Sequence, residues 1–323
     1  MRLIYFIVLA FLALMPLSYG NDLAGKIWDV GRQKIISEND LEKELKNSRF
    51  VLLGEVHDNR HHHELQAKLL DRLTGSGRDR AVVFEMVERN KQNAFKIFRS
   101  RFNSVGPADT SFRRHDASGL EILLDWQNSG WPDWSWYKPL FDIAMRNNLP
   151  LGAGGLSRFD VGAVHKQGLA GLSPALREKL APWLAVEWPD SLNERLLAEI
   201  RQGHCNALPE DILPPFVLIQ RLRDASLGQS LTEQAANVAS HAAILIAGNG
   251  HVRNDMAVPY YLRKMNIGGS IATVGFIEVT PGSSQPTDYA AQYGLKKLPY
   301  DFVWFTEVAK REDPCELFRQ NNK

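Results

Sequence analysis

The chain has 323 residues, of which 44% are hydrophobic and 23% charged, with a formal net charge of +1. That length buries a full core in one large domain or two modest lobes. The near-balanced charge gives no basic excess and so argues against a nucleic-acid or polyanion partner.

At the amino terminus, Met1-Arg2 forms a short basic segment and Leu3 to Leu17 is almost wholly apolar. Ser18-Tyr19-Gly20 places small residues at −3 and −1 of a cut after Gly20, the pattern of a signal peptide. The apolar run is shorter than the roughly 20 residues a membrane span needs. No cysteine lies near the cut, so the pattern carries no lipid-accepting residue. The expectation is an exported protein, periplasmic or extracellular, starting at Asn21. Cys205 and Cys315 are the two cysteines. In an oxidising compartment they pair or remain two buried thiols, and the spacing leaves both open.

Strand and helix patterns alternate along the rest of the chain. Phe50-Val51-Leu52-Leu53 is a continuous apolar run, as in a strand covered on both faces, and it ends at Gly54-Glu55-Val56-His57-Asp58. Leu65, Leu69, Leu70 and Leu73 then recur at helical spacing. Ala81 to Met86 is a second strand, followed by a polar helix from about Asn90 to Phe102. Trp126 to Tyr137 holds four of the eight tryptophans and reads as a loop, with Pro139 in the first turn of a helix through Met145. Leu149 to Ala153 is a third strand. From about residue 174 to 235 the pattern is helical, punctuated by prolines, and predicts an inserted helical subdomain. Strands return at Ala242 to Ala247, Ile271 to Val279 and Asp301 to Thr306, with a loose polar tail from 311 to 323. The alternation predicts an α/β domain over residues 21–310, a mainly parallel sheet flanked by helices.

Ligands of open α/β sheets bind beyond the carboxyl ends of the strands. Four polar residues fall there: Glu55, His57, Glu85 and His251, two of them in Gly-x-x-His turns at Gly54/His57 and Gly248/His251. Glycine after a strand permits a sharp turn and close backbone approach. A carboxylate closing a Val-Val-Phe strand, as Glu85 does, is costly to bury without a partner. Two imidazoles and two carboxylates form a plausible site for a divalent metal such as zinc, manganese or cobalt, or a polar grip on a charged ligand. His61, His62 and His63 read as a mostly solvated first helical turn, His204 as a capping or core residue, and Arg221 with Asp224 as an i, i+3 ion pair. There is no Gly-x-Ser-x-Gly elbow, and Gly152-Ala153-Gly154-Gly155 lacks the third glycine of a dinucleotide fingerprint.

With these residues in hand, the chain resembles the ChaN-like haem-binding family of the haem-binding uptake and Tiki superfamily. The motifs are Leu-Leu-Gly-Glu-Val-His-Asp (52–58), Val-Val-Phe-Glu-Met (82–86), Gly-Trp-Pro-Asp-Trp-Ser-Trp-Tyr-Lys-Pro (130–139), Gly-His-Cys (203–205), Gln-Arg-Leu-Arg-Asp-Ala (220–225), Ala-Gly-Asn-Gly-His-Val-Arg (247–253) and Tyr-Asp-Phe-Val-Trp-Phe (300–305). The resemblance implies an α/β core with a helical lobe, haem as ligand, a part in bacterial iron acquisition, exchange with membrane haem-uptake machinery and a homodimer. Members are often lipoproteins, from which this chain departs by lacking the cysteine. For haem, Trp131 to Tyr137 offers slot walls, Tyr260, Tyr261 or His204 an axial ligand, and Arg253, Lys264 or Arg158 partners for propionates. Tiki-like relatives imply the alternative of a metal-dependent hydrolase, with His57 and His251 as ligands and Glu55 and Glu85 as ligand and general base.

Overall fold

The computed structural model describes residues 22–75, 79–104, 116–313 and 315–316. The expected leader, residues 1–20, and the tail beyond residue 316 lie outside the described residues. The elements run β1 (Ile27–Asp29), β2 (Lys34–Ile36), α1 (Glu38–Lys46), β3 (Phe50–Leu53), α2 (Arg60–Thr74), β4 (Ala81–Glu88), α3 (Gln92–Ser104) and α4 (Leu120–Leu123). There follow α5 (Trp134–Arg146), β5 (Leu151–Gly155), α6 (Arg158–Gln167), α7 (Pro174–Leu184), α8 (Asp190–Gly203) and α9 (Leu213–Ala236). The chain closes with β6 (Ala243–Ile246), α10 (Ala257–Lys264), β7 (Ile271–Glu278), α11 (Pro286–Ala290) and β8 (Phe302–Thr306).

The strands form one eight-stranded sheet in the order β2-β1-β8-β7-β3-β6-β4-β5. Strands β3 to β8 pair in parallel, and β1 runs against them, pairing antiparallel with both β8 and β2 at the edge. The fold is therefore the α/β class that the alternation implies. The hairpin was not legible: its strands are three residues each and half exposed, too short for a period-two signal.

Alternate residues of the central strands feed two different cores, as strand geometry requires. Phe50, Leu52, Val83 and Leu245 pack with α9 and α10 on one face. Val51, Leu53, Val82, Phe84, Ile244 and Ile246 pack with α1, α2 and α5 on the other. Burial on both faces explains why these strands read as unbroken apolar runs.

Helices α7, α8 and α9 fill the segment expected to be helical, and the prolines there sit at helix starts or inside α7. Their apolar residues, Leu180, Trp183, Leu192 and Leu222 among them, belong to the same cluster as the sheet. Helix α9 comes close to β5 because that strand is built of glycine and alanine: a Cβ at Gly152 or Gly154 would lie within 3 Å of Val83 and of α9 side chains. Helix α5 begins at Trp134, with the Asp133 carboxylate accepting from Ser135 N at 2.8 Å, so Pro139 lies inside the helix and not in its first turn.

Cys205 and Cys315 form a disulfide with an S–S distance of 2.10 Å. The start of the tail, expected to be loose, is thereby fastened to the loop between α8 and α9.

Gly228, in the middle of α9, tests how the helices dock. A Cβ there would meet the Trp183 ring at 2.3 Å. Helix propensity alone predicts that Gly228→Ala stabilises by about 1 kcal/mol, whereas forced repacking of a tryptophan costs about 1–3 kcal/mol. The expected outcome is net destabilisation in urea unfolding. A raised midpoint would show that Trp183 has room to move.

Candidate functional site

Three adjacent parallel strands, β3, β6 and β4, bring the polar residues of the sequence motifs to one place. Glu55 and His57 follow β3, Glu85 lies near the end of β4, and His251 closes a 3-10 turn after β6. All four line a cavity of about 570 Å³, together with Trp131, Leu156, Gln220, Arg223 and Leu227. The two glycines have distinct steric duties. A Cβ on Gly54 would strike Asn249 Oδ1 at 2.2 Å, and one on Gly248 would press into the His57 ring at 2.9 Å. Only glycine lets the two turns interlock.

The cavity floor is a buried charge network. His251 is 5% exposed and points Nδ1 at Asp224 Oδ1 (2.6 Å) and Nε2 at Glu85 Oε1 (3.1 Å). The other Glu85 oxygen accepts from Gly248 N at 2.7 Å. Burial alone disfavours the charged imidazole, but the charges of Glu85 and Asp224, with their hydrogen bonds, outweigh it and raise the His251 pKa to about 10. Burial likewise disfavours ionised Glu85, yet His251, His57 and the Gly248 N–H together hold it well below its ordinary value. At neutral pH the pair is an imidazolium and a carboxylate.

The wall is different. His57 Nδ1 lies 2.5 Å from Glu55 Oε1, and its side chain is 41% exposed, opening into the cavity. Burial works against its protonation, but the hydrogen bond and charge of Glu55, then the charge of Glu85, raise its pKa above the ordinary 6.5. With Nδ1 committed to Glu55, Nε2 is the imidazole nitrogen left to meet a ligand. The Trp131 indole stands edge-on to this ring at 4.7 Å.

The histidine run after His57 is not the solvated turn expected. His62 and His63 are fully buried and only His61 is exposed. Val56 N donates to His62 Nδ1 (2.9 Å), which leaves the His62 Nε2–H to donate to Thr306 Oγ1 (2.7 Å). Burial, the largest influence, pushes the His62 pKa down to about 3, so it serves as a neutral brace. His63 Nε2 donates to the His57 carbonyl at 3.0 Å. Both therefore shape the backbone on which Glu55 and His57 ride. Three successive histidines gave no helical face to read; the signal was their place one turn after a Gly-x-x-His.

Asp224 was read as the partner of Arg221. Instead Asp224 bonds to His251, while Arg221 reaches Val186 O (3.1 Å) and stacks on Trp188. The helical spacing put both residues on one face but did not show which residue of another element meets it.

The expected axial ligands and two of the expected propionate partners, Arg253 and Lys264, do not line this cavity. Tyr261 is fully buried against Trp183 and Trp188, and Tyr260 donates to Glu187 O at 3.0 Å. His204 caps α8, with Nδ1 on Ile200 O at 2.7 Å. Arg253 is 2% exposed and satisfied by Glu199 and Asp255, and Lys264 lies over the Tyr260 ring. Of the tryptophan-rich segment only Trp131 reaches the cavity; Trp126 and Trp134 stack in the core.

The divalent-metal reading meets a geometric objection as well. Among the described residues no group of three or more His, Cys, Asp or Glu side chains is arranged to hold a metal ion. Both His251 nitrogens already face carboxylates, and an imidazolium has no lone pair to give.

A family model described as haem-binding uptake, Tiki superfamily, ChaN matches residues 41–262. The chain belongs to this family. Among solved structures, ChaN of Campylobacter jejuni, described as showing cofacial haem binding, superposes with a TM-score of 0.64 at 20% identity, covering 86% of this chain and 95% of that one. That likeness establishes the shared ChaN fold. The type III effector HopBA1 (TM-score 0.44, 14% identity, 83% and 92% covered) and an erythromycin esterase EreC variant (0.42, 13%, 92% and 86%) are more distant. No curated protein matches the sequence.

The buried pair fixes a pH signature. The raised His251 pKa contributes stability that is complete below about pH 6.5 and is lost as pH rises towards about 10. The lowered Glu85 pKa contributes stability present above its ordinary 4.5 and lost as pH falls below it. The lowered His62 pKa adds stability that is lost as pH falls from about 6.5 towards about 3, so denaturant unfolding across a pH series should give a maximum near pH 6.5, and Glu85→Gln should flatten both limbs. Unchanged limbs in the variant would mean that other groups set the profile.

Proposed function

We propose that this chain is an exported protein that binds haem in the Glu55–His57–His251 cavity and serves haem or iron acquisition. The observation that carries the proposal is His57, an imidazole anchored through Nδ1 by Glu55 and turned through Nε2 into a cavity large enough for a cofactor. Metal-ligating histidines characteristically donate the other ring N–H to a carboxylate, which fixes ring and tautomer. Histidine is also a common axial ligand of haem iron.

The remaining lining fits the same group. Val56, Leu156, Leu227 and the Trp131 indole supply apolar surface for a flat macrocycle. Arg223 lines the cavity and is exposed, and Arg158 lies beside Gly130, the neighbour of the lining residue Trp131, its Nη2 2.9 Å from where a Cβ would be. Both side chains are exposed and carry the charge that a carboxylate would meet. Haem bound there would be held by His57 and would supply an iron centre able to take an imidazole nitrogen. Glu55 favours the charged imidazole, so His57 would have to release its Nε2 proton to solvent before that nitrogen could hold the group. Glu55 and the His63 bond to the His57 carbonyl hold the turn in place while it does so. The imidazolium at His251 keeps the floor rigid and has no lone pair of its own to offer.

Export rests on the leader pattern of residues 1–20. Among the described residues no helix is long and apolar enough to cross a membrane. Membrane uptake machinery as the exchanging partner, and a second copy covering the exposed haem face, complete the proposal.

Haemin titration of the chain from Asn21 onward should give a saturable, shifted Soret band at a fixed ratio. His57→Ala should abolish the shift, and Tyr260→Phe with Tyr261→Phe should leave it intact. Arg223→Ala should weaken binding about tenfold, the loss of one charged hydrogen bond of about 1.5 kcal/mol. A featureless titration, or an unchanged band in His57→Ala, would overturn the assignment. Amino-terminal sequencing of the protein recovered from a periplasmic or secreted fraction should begin at Asn21; a retained Met1 would remove the export claim.

A further inference from the structure

The two walls of the cavity are joined by a segment that lines neither. Strand β8 runs parallel to β7 and β3, so it leaves the sheet at Thr306 on the side where the cavity opens. From there the chain is stitched to the turn that carries Glu55 and His57. Thr306 Oγ1 meets His62, the Glu307 carbonyl accepts from Asn59 Nδ2 (3.2 Å), and Arg311 Nε donates to Asp58 Oδ2 (2.8 Å). Glu278 gathers the same group, accepting from Asn59 Nδ2 (2.7 Å), Ala309 N (3.0 Å) and Arg311 Nη1 (2.8 Å). The chain then reaches Cys315, which is bonded to Cys205 on the loop that leads into α9. Helix α9 is the opposite wall, since it supplies Gln220, Arg223 and Asp224.

The loop end of this connection is under backbone strain. Cys205 and Asn206 have φ of +59° and +54°, two consecutive non-glycine residues in the left-handed region. Such conformations persist where the surrounding structure imposes them. Here the end of α8 imposes them, through Cys205 N donating to Gln202 O and Asn206 N donating to Arg201 O, both at 2.9 Å.

We propose that residues 307–313 with Cys315 form a thiol-sensitive strap that clamps the His57 turn to helix α9, so that reduction of the Cys205–Cys315 bond loosens the cavity. A dithiol reductant is the co-reactant. Its thiolate attacks one sulfur of the bond and forms a mixed disulfide, and its second thiolate displaces the protein sulfur. The S–S bond of the protein is broken, both cysteines end as thiols, and the dithiol is oxidised to its disulfide. The strap is then held by part-exposed ion pairs such as Arg311–Asp58, which are individually weak. The two walls lose their covalent connection. The consequence for ligand retention rests on the cavity being the haem site; the mechanical coupling does not.

Hydrogen exchange of the full mature chain, with and without dithiothreitol, tests the strap. Reduction should speed exchange severalfold in residues 54–59 and in the first turns of α9, with β3 and β6 unchanged. The Cys205→Ser/Cys315→Ser double variant should match the reduced protein. Arg311→Ala, with the disulfide intact, should loosen residues 54–59 alone. Equal exchange of both walls in the oxidised and reduced forms would overturn the proposal, as would uniform loosening of the sheet, which would mark the bond as a general staple. In parallel, haemin should dissociate severalfold faster from the reduced protein. Faster exchange in a protein that binds no haemin at all would sink the haem reading and leave the strap standing.

Discussion

The arrangement of the site depends on one buried charge, the imidazolium of His251. It is almost wholly buried and is held by carboxylates from two different elements, Glu85 of β4 and Asp224 of α9. Removing one partner from a buried pair leaves an uncompensated charge, at a cost of about 3–5 kcal/mol. The network thus joins the turn after β6 to the neighbouring strand and to the helical lobe. Glu85 adds a second bond to that turn through Gly248 N, so the floor is fixed at two points.

That rigidity separates the two imidazoles into different chemical states. His251 has both nitrogens engaged and keeps its proton, whereas His57 has one nitrogen on Glu55 and the other facing the cavity. Two residues in matching Gly-x-x-His turns therefore stand in unequal positions: one is held on both nitrogens, the other keeps one nitrogen towards the cavity. The absence of a shared lone-pair focus is also why the same four residues do not make a metal cage.

Much of this was legible in the sequence, and the limits have physical causes. The central strands announced themselves because they are buried on both faces, and the Gly-x-x-His turns because glycine is sterically required beside Asn249 and His57. Glu85 stood out because a carboxylate on an apolar strand needs a partner. The partner itself, on a strand-following turn 166 positions away, had no local signature, and neither did Asp224. The residues expected as haem contacts, Tyr260, Tyr261, His204 and Arg253, lie away from this cavity for a related reason. Residue type and motif membership say nothing about which side of a helix faces the core, and Tyr261 and Arg253 are buried in their own clusters. Arg223, by contrast, sat inside the Gln-Arg-Leu-Arg-Asp-Ala motif, which gave no sign that Gln220 and Arg223 would be the ones facing the cavity.

The family shares the ChaN fold, so the question particular to this chain is which side chain meets the ligand. A crystal structure of the mature protein grown with haemin answers it most directly. The account predicts iron coordinated by His57 Nε2, with the macrocycle against Trp131 and carboxylates near Arg223. Iron coordinated by Tyr260 or Tyr261, or haem bound away from the Glu55–His57 turn, would contradict it.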